Sequence, residues 1–359
     1  LKARTPLYRF EVDAAFTTDG MPTDQLLSSP GIDAEVEGLT ESPSSAFGRS
    51  PPVQGRFVES EACSLLVEAL DEAWQGYDMF SRTQQRAARR WAEAAMVDQP
   101  GFLEAGFALA SMQYDAGDVE AIDTLDLYLK KANSLIPKGF KGEIAWTDMS
   151  NRFFHRMLWL RMQMNHDVGD LSGAVRLARR QLRLNPTDNL GLRYLLPLML
   201  LEKGSYSLAR REAKTLRGEP DMLAAVIRAF CFGATGNEAG FRKELLVGLF
   251  SLPWLRTFIF ANQQLPPGDS GFRGMEPEVD TFVEFAVPAV DQVPGLLLAC
   301  RKVLNEPMVH FAEAELLALW VQSRASGSDR VKLSQDWSER CAAWVVRLAP
   351  GSSAPGRSA

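Results

Sequence analysis

A repeated spacing of glycine, alanine and proline between Trp146 and Pro220 constrains the fold of this chain more than any other feature. The members of the two copies are, in order, Gly169, Ala174 and Pro186, then Gly204, Ala209 and Pro220. The copies lie about 34 residues apart, the length of one helical hairpin in a repeat protein. Glycine allows the turn between two helices, alanine lets them pack closely, and proline ends the second helix. A single hairpin cannot bury its own apolar face, so the spacing predicts stacked hairpins.

Helical periodicity continues on both sides of these two copies. It predicts a degenerate hairpin over residues 60–100, another over 102–137 turned at Gly117, and a further one over 222–250 turned at Gly236. Near the C-terminus one apolar stripe of a helix contains Trp337, Cys341, Trp344, Val345 and Leu348. We therefore expect an all-α protein, a solenoid of antiparallel helix hairpins closed by a C-terminal helical cap.

The N-terminal region differs in composition from the rest of the chain. Tyr8, Phe10 and Val12 alternate with polar residues, which predicts one short strand, and residues 42–52 have the composition of a linker. The predicted organisation has four parts: an irregular N-terminal arm or remnant of an upstream domain over 1–60, helical repeats over 61–262, a C-terminal helical extension or cap over 263–349, and a disordered tail over 350–359.

Composition limits the chemistry that the chain can carry. Of its 359 residues, 46% are hydrophobic and 23% are charged, as in an ordinary folded protein. The four cysteines are far apart without a C-x-x-C pair, which argues against a structural zinc site or a disulfide framework and favours reduced thiols within helices. No phosphate-binding loop, dinucleotide fingerprint or H-E-x-x-H motif occurs. We therefore expect no catalysis, no metal and no cofactor.

Apolar segments and charge bear on location and partners. The longest apolar stretches, Leu195–Leu201 and Leu245–Leu255, are too short to cross a bilayer, so we expect a cytoplasmic protein without membrane contact. The net charge is −6, yet residues 138–217 contain 15 Lys and Arg against 7 Asp and Glu. This basic segment favours an acidic partner.

Four arginines of the basic segment recur at helical spacing: Arg176, Arg179, Arg180 and Arg183. The favoured interpretation is a solvated helix face, because no interleaved aromatic residues accompany them. The alternative is a nucleic-acid-associated accessory protein that uses residues 138–217.

A resemblance to a known group of proteins rests on two motifs. Residues 185–196 have the sequence N-P-T-D-N-L-G-L-R-Y-L-L, and Trp146 precedes Asn151 and Arg152 in a W-x4-N-R pattern. Together they resemble a group of tetratricopeptide-repeat proteins, mostly bacterial, with an N-P-x-D-N-x-G-x-R-Y-L-L signature. The chain departs from that signature at Leu190, where a polar residue is expected. The resemblance covers roughly residues 140–250 and implies a repeat fold with an interaction role; it implies no reaction.

The motifs supply a candidate polar anchor of Arg152, Asn189 and Arg193. Two interpretations stay open: a pocket that holds a peptide carboxylate or another anion through its arginines, and a structural contact between repeats, which is the favoured one. We also expect the polar residues after Pro186 to cap the next helix by accepting from its free N–H groups.

The repeat register places five further residues on the concave side of the predicted stack: Arg156, Trp159, Gln163, His166 and Tyr194. This mixture of aromatic, basic and amide side chains suits an extended protein or peptide segment. The alternative is that the C-terminal helices of the chain fill the groove. The sequence thus favours a non-catalytic scaffold or adaptor that binds a protein or peptide partner.

Overall fold

The computed structural model describes residues 6–13, 53–78, 82–216, 222–252, 255–260, 276–325 and 330–349. Within these residues the chain forms fifteen α-helices, two short 3-10 helices and two strands. The described part of the chain is therefore predominantly helical, as predicted. The predicted linker at 42–52 and the predicted tail at 350–359 lie outside the residues that the structure describes.

The elements follow one another in this order: β1 (Tyr8–Asp13), β2 (Gln54–Glu59), α1 (Glu61–Asp78), α2 (Arg82–Asp98), α3 (Leu103–Asp115), α4 (Ala121–Leu135), a 3-10 helix (Met149–Asn151), α5 (Arg152–Asp167), α6 (Leu171–Leu184), α7 (Leu192–Glu202), α8 (Tyr206–Ala213), a 3-10 helix (Lys214–Leu216), α9 (Met222–Ala234), α10 (Glu238–Ser251), α11 (Leu255–Phe260), α12 (Glu276–Gln292), α13 (Leu296–Leu304), α14 (Pro307–Ala325) and α15 (Arg330–Leu348).

The chain divides into two compact units. The first comprises the described residues up to Met164 together with Arg179–Asn189, and the second comprises Asn165–Ala178 and the described residues from Leu190 onward. Each unit has its own buried apolar core.

A two-stranded antiparallel sheet belongs to the first unit. Strand β1 pairs with β2 so that Tyr8 lies opposite Glu59 and Asp13 lies opposite Gln54. The strand predicted from the alternation at Tyr8 is confirmed, whereas its partner β2 was not predicted. Phe57 of β2 is fully buried and packs its ring 5.0 Å from that of Phe153 on α5. The sheet thus forms part of the core of this unit.

Left-handed glycines turn the chain at the predicted positions between helices. Gly117, Gly169, Gly204 and Gly236 all have φ between 71° and 80°. Side chains with a Cβ rarely adopt this backbone conformation, which is why glycine occupies the turns. The helices on either side of three of these turns pack on each other: α3 with α4 across Gly117, α7 with α8 across Gly204, and α9 with α10 across Gly236.

Close packing of α3 and α4 depends on Gly106. A Cβ at this position would lie 2.1 Å from the ring of Tyr128, which is 2% exposed. Glycine therefore lets the two helices approach at the point where α3 contributes residues to the site described below.

In the second unit, the C-terminal helices pack against earlier ones. Helix α12 packs along α7, and α15 packs on α10 and α14. The predicted apolar stripe of α15 is buried at Cys341, Trp344, Val345 and Leu348. The side chain of Arg242 on α10 donates to the carbonyl of Leu348 at 2.6 Å, which fixes the end of α15.

All four cysteines are buried free thiols within helices, as predicted. Burial raises the pKa of each thiol to about 12.

Across the described ranges, no single helix is both long and apolar enough to cross a membrane. The bent pair of helices Thr281–Gln292 and Leu296–Leu304 together meets that criterion, by length and composition only.

Candidate functional site

The candidate site is a pocket of about 920 Å³ that lies entirely within the first unit. Strand β2, helices α1, α3 and α5, and the 3-10 helix before α5 all contribute to its walls. The polar and aromatic side chains that line it are Arg56 and Glu59 from β2, Asp71 and Trp74 from α1, Glu104 and Phe107 from α3, Asp148 before the 3-10 helix, Ser150 within it, and Arg152 and Arg156 from α5. This volume falls within the usual range for small-molecule or side-chain binding pockets.

One wall of the pocket is aromatic. The rings of Trp74 on α1 and Phe107 on α3 are nearly parallel, with an interplanar angle of 13° and centroids 6.3 Å apart. Both side chains are partly exposed in the pocket rather than fully buried. They therefore present an apolar surface with aromatic faces and edges to an incoming group.

The arginines of α5 are held against Trp146. The guanidinium carbons of Arg152 and Arg156 lie 5.4 and 5.9 Å from the centroid of this ring, within the range of cation–π attraction. The Nε of Arg152 also donates to the carbonyl of Trp146 at 3.2 Å. The W-x4-N-R motif thus positions two cationic side chains at the pocket.

Carboxylates from three other elements face these arginines. Burial, and then the charges of Glu59 and Asp71, raise the pKa of Glu104 to about 8, while Arg156 partly offsets this effect. Burial, and then Asp148, raise the pKa of Glu59. The carboxylates are therefore close enough to repel one another, and the arginines do not fully neutralise them.

Buried Asn151 fixes the position of β2 relative to the start of α5. Its Oδ1 accepts from the backbone N–H of Phe57 at 3.0 Å, and its Nδ2 donates to the carbonyls of Ala145 at 3.0 Å and Gly55 at 3.4 Å. The side chain is 1% exposed. A buried amide with these partners stabilises the local geometry, so the role of Asn151 is to position the pocket wall rather than to bind a ligand.

The N-P-T-D-N segment makes local hydrogen bonds in the same unit. The Oδ1 of Asn185 accepts from the backbone N–H of Trp146 at 3.2 Å, and the hydroxyl of Thr187 is hydrogen-bonded to Asn185 at 2.9 Å and Asn189 at 2.8 Å. The predicted capping of the next helix is wrong: α7 begins after Gly191, and no side chain caps it. The left-handed φ of 70° at Gly191 separates the polar turn from the helix.

The structure brings two of the predicted site residues into the pocket, Arg152 and Arg156. Trp159 and Gln163 lie further along α5, are partly buried and do not line the pocket. Asn189 is an exposed member of the polar turn.

The other three predicted residues, His166, Arg193 and Tyr194, belong to the second unit. His166 is 9% exposed, its Nε2 lies 2.8 Å from Glu202, and its ring lies 4.2 Å from that of Phe285 on α12. Burial by itself would lower the pKa of His166, but the hydrogen bond and charge of Glu202, with Asp167 and Glu284, raise it above 6.5. Phe285 of α12 in the same chain thus packs against His166, which does not line the pocket.

The arginine stripe on α6 is not uniformly solvated. Arg176, Arg179 and Arg183 are exposed, whereas Arg180 is partly buried, hydrogen-bonded to Asn133 and placed 5.7 Å from the ring centroid of Phe154. The interpretation of the stripe as a solvated face is therefore wrong for Arg180, which packs into the first unit.

The sequence did not predict the group of carboxylates that line the pocket. Glu59, Asp71 and Glu104 come from three elements whose proximity depends on the fold. One signal was present: Glu104 is a carboxylate within an otherwise apolar helical segment, Phe102–Ala110. Such a residue is seldom buried without a function or a partner.

Among the residues that the structure describes, no cluster of three or more His, Cys, Asp or Glu has metal-site geometry. No protein-family model matches the chain, and the comparison with curated proteins returns no match.

Proposed function

We propose that this chain is a non-catalytic binding protein of helical-repeat type, related in architecture to tetratricopeptide repeats, and that it binds a segment of a protein or peptide partner in the first-unit pocket. The repeat part of the proposal is supported by paired helices with left-handed glycine turns and by the spacing of about 34 residues. A scaffold of this kind binds partners through side chains placed on rigid helices.

The observation that carries the proposal is the composition of the pocket. An aromatic pair, two arginines and several carboxylates converge from elements far apart in sequence on one cavity of about 920 Å³. Such a surface offers apolar contact area together with directional polar groups, the combination by which proteins recognise peptide side chains. Of the residues that the repeat register places in a wider groove, only Arg156 lines this pocket, together with Arg152 of the expected polar anchor, so the proposal concerns the pocket rather than the groove.

A display experiment tests this function. The intact chain is immobilised and used to select binders from a random peptide library, and the enriched peptides are then measured against two variants. Trp74→Ala removes an aromatic side chain of the pocket; Trp91→Ala removes one from neighbouring α2 that is also partly buried but does not line the pocket. We expect Trp74→Ala to weaken binding about tenfold or more, as for aromatic anchors in other interfaces, and Trp91→Ala to leave it unchanged.

Two results would overturn the proposal. One is that no peptide is enriched over a control surface; the other is that enriched peptides bind Trp74→Ala as well as they bind the wild type. Retention of the chain on a nucleic-acid column that falls with added salt and with Arg176→Ala and Arg179→Ala, in place of peptide binding, would instead favour the nucleic-acid alternative.

A further inference from the structure

The two arginines that line the first-unit pocket from α5 make no ion pair. Among the described residues, neither Arg152 nor Arg156 has a carboxylate as a salt-bridge partner, although the same cavity is lined by four: Glu59, Asp71, Glu104 and Asp148. Other partly buried arginines of this chain do pair with carboxylates: Arg161 with Asp126 at 2.6 Å, and Arg228 with Glu244 at 2.9 Å. The acids of the pocket therefore do not occupy these two guanidinium groups.

Most N–H donors of both guanidinium groups have no acceptor in the described part of the chain. Arg152 donates through Nε to the carbonyl of Trp146 at 3.2 Å, which leaves its terminal N–H groups without an acceptor. Arg156 is exposed and donates to no described residue; its guanidinium carbon lies 5.9 Å from the centroid of the Trp146 ring. Because the two residues are one turn apart on α5, their side chains are neighbours on one face of the helix. Trp146 thus supports two adjacent groups of unused donors.

The charges of the other pocket residues leave these arginines available. Arg156 acts on the carboxyl of Glu104, yet burial and the neighbouring acids raise the pKa of this carboxyl to about 8. It is therefore mostly protonated near neutral pH and compensates little of the charge of Arg156. The carboxylate of Asp148 accepts from the backbone and hydroxyl of Ser150 at 3.0 and 2.7 Å, so it is directed toward its own turn.

Building on the proposed function, we propose that Arg152 and Arg156 form a subsite for a carboxylate of the bound segment, either on a side chain or at its C-terminal end. Guanidinium groups bind carboxylates through paired, charge-assisted hydrogen bonds, which are stronger than neutral ones. The contacts with Trp146 hold both groups in place before binding, which lowers the entropy lost on binding. An apolar residue beside the carboxylate would contact the rings of Trp74 and Phe107.

Short peptides with a central phenylalanine test this chemistry. In three of them both ends are blocked and the phenylalanine is flanked by glutamates, by glutamines or by lysines; a fourth has the glutamine sequence with a free C-terminal carboxylate. Binding to the intact chain is measured by calorimetry. We expect a carboxylate peptide to bind at least about tenfold more tightly than the blocked glutamine peptide. Tight binding of the glutamate peptide assigns the carboxylate to a side chain, and tight binding of the free-ended peptide assigns it to the end of the segment.

Substitutions of the arginines test the assignment of the subsite. Arg156→Gln should weaken binding of the carboxylate peptide about tenfold or more, since this exposed side chain makes no hydrogen bond to a described residue whose loss would disturb the fold. Arg156→Lys keeps the charge without the planar pair of donors and should restore the affinity only in part. Arg152→Gln should also weaken binding, with thermal unfolding as the check that the fold is kept. Arg183→Gln removes the same charge from an exposed position of α6 that does not line the pocket, and it should have no effect.

The results separate this inference from the proposed function. Equal binding of the carboxylate and blocked glutamine peptides, preference for the lysine peptide, or carboxylate binding that Arg156→Gln leaves unchanged would overturn the subsite. So would failure of both carboxylate peptides to bind while displayed peptides bind in the pocket. Equal losses in Arg156→Gln and Arg183→Gln would show a general attraction to the basic segment and would also overturn it. In each of these cases peptide binding stands, whereas failure of every displayed and synthetic peptide to bind would overturn the proposed function itself.

Discussion

Replacing Glu104 by glutamine should stabilise the ligand-free protein, and the gain should grow with pH. In the folded protein Glu104 has a pKa of about 8, against an ordinary value of 4.5, because burial and the neighbouring carboxylates disfavour its charged form. The folded state therefore binds this proton more tightly than the unfolded chain does. Wild-type stability accordingly falls as pH rises from the ordinary pKa to the raised one, and the loss is complete above it. Glutamine keeps the shape of the side chain and removes the titration.

The magnitude follows from the difference between the two pKa values. At about 1.4 kcal/mol per pKa unit, a pKa of about 8 in place of 4.5 corresponds to at most about 5 kcal/mol. Because the carboxyl is partly exposed, solvent screening reduces this to roughly 2 kcal/mol. For a unit of this size, roughly 2 kcal/mol raises the thermal midpoint by about 4–8 °C.

The assay is thermal unfolding of wild type and Glu104→Gln from about pH 5 to about pH 9, followed by circular dichroism. The difference between their midpoints should be small near pH 5, widen up to about pH 8 and then stay constant. Glu68→Gln, at an exposed position of α1, serves as the matched control and should show no such trend. A difference that stays constant over this range, or that narrows as pH rises, would refute the electrostatic reasoning.

Three further predictions concern packing, the pocket wall and the second unit. Gly106→Ala should lower the free energy of unfolding by about 1–3 kcal/mol in chemical denaturation, because the added Cβ would clash with the buried ring of Tyr128. Gly101→Ala is the control, since a Cβ there meets nothing within 4 Å and should leave stability unchanged. Equal effects of the two substitutions would contradict the packing argument. Asn151→Ala should lower the free energy of unfolding by roughly 2 kcal/mol or more, because the backbone N–H of Phe57 in β2 loses its buried acceptor. The rate of hydrogen exchange at this N–H should rise, and an unchanged rate would count against the assigned role. Because the pKa of His166 is raised, its ion pair with Glu202 stabilises the fold fully below the ordinary value of 6.5 and loses that contribution as pH rises through the folded pKa. Glu202→Gln should therefore lower the thermal midpoint more at about pH 6 than at about pH 9, and a pH-independent loss would contradict this account.

Local signals in the sequence were sufficient for the helices and their turns. The glycines at Gly117, Gly169, Gly204 and Gly236 have the left-handed conformation that favours glycine, so each turn could be predicted from a single residue. The buried cysteines and the apolar stripe of α15 likewise follow from helical periodicity.

Long-range pairing was harder to predict. Strand β2 is short, includes Gly55 and pairs with β1 across more than forty residues of sequence. A segment of this kind carries little periodicity of its own, because the partner strand supplies its stability. The pocket was missed for the same reason: one of its walls is β2, and its carboxylates become neighbours only when β2, α1 and α3 pack together.

The motif residues show how far a sequence pattern predicts a role. Trp146, Asn151 and Arg152 belong to one sequence motif, and in the structure Asn151 accepts a hydrogen bond from the backbone of β2 while Arg152 donates to the carbonyl of Trp146. The expected polar anchor of Arg152, Asn189 and Arg193 does not line the pocket as a group, because Asn189 takes part in a local turn and Arg193 belongs to the second unit. The spacing of the motif thus predicted that these residues matter. Which of them hold the fold, as Asn151 does, and which line the pocket, as Arg152 does, depended on the three-dimensional structure.

Hydrogen–deuterium exchange on adding a peptide enriched by the display selection tests the central claim, that a peptide binds in the first-unit pocket, most directly. The pocket account predicts protection in four segments that line the cavity, residues 56–59, 67–74, 104–108 and 148–156, and predicts that Trp74→Ala removes this protection. Protection confined to the second unit, or protection that persists in Trp74→Ala, would contradict the account.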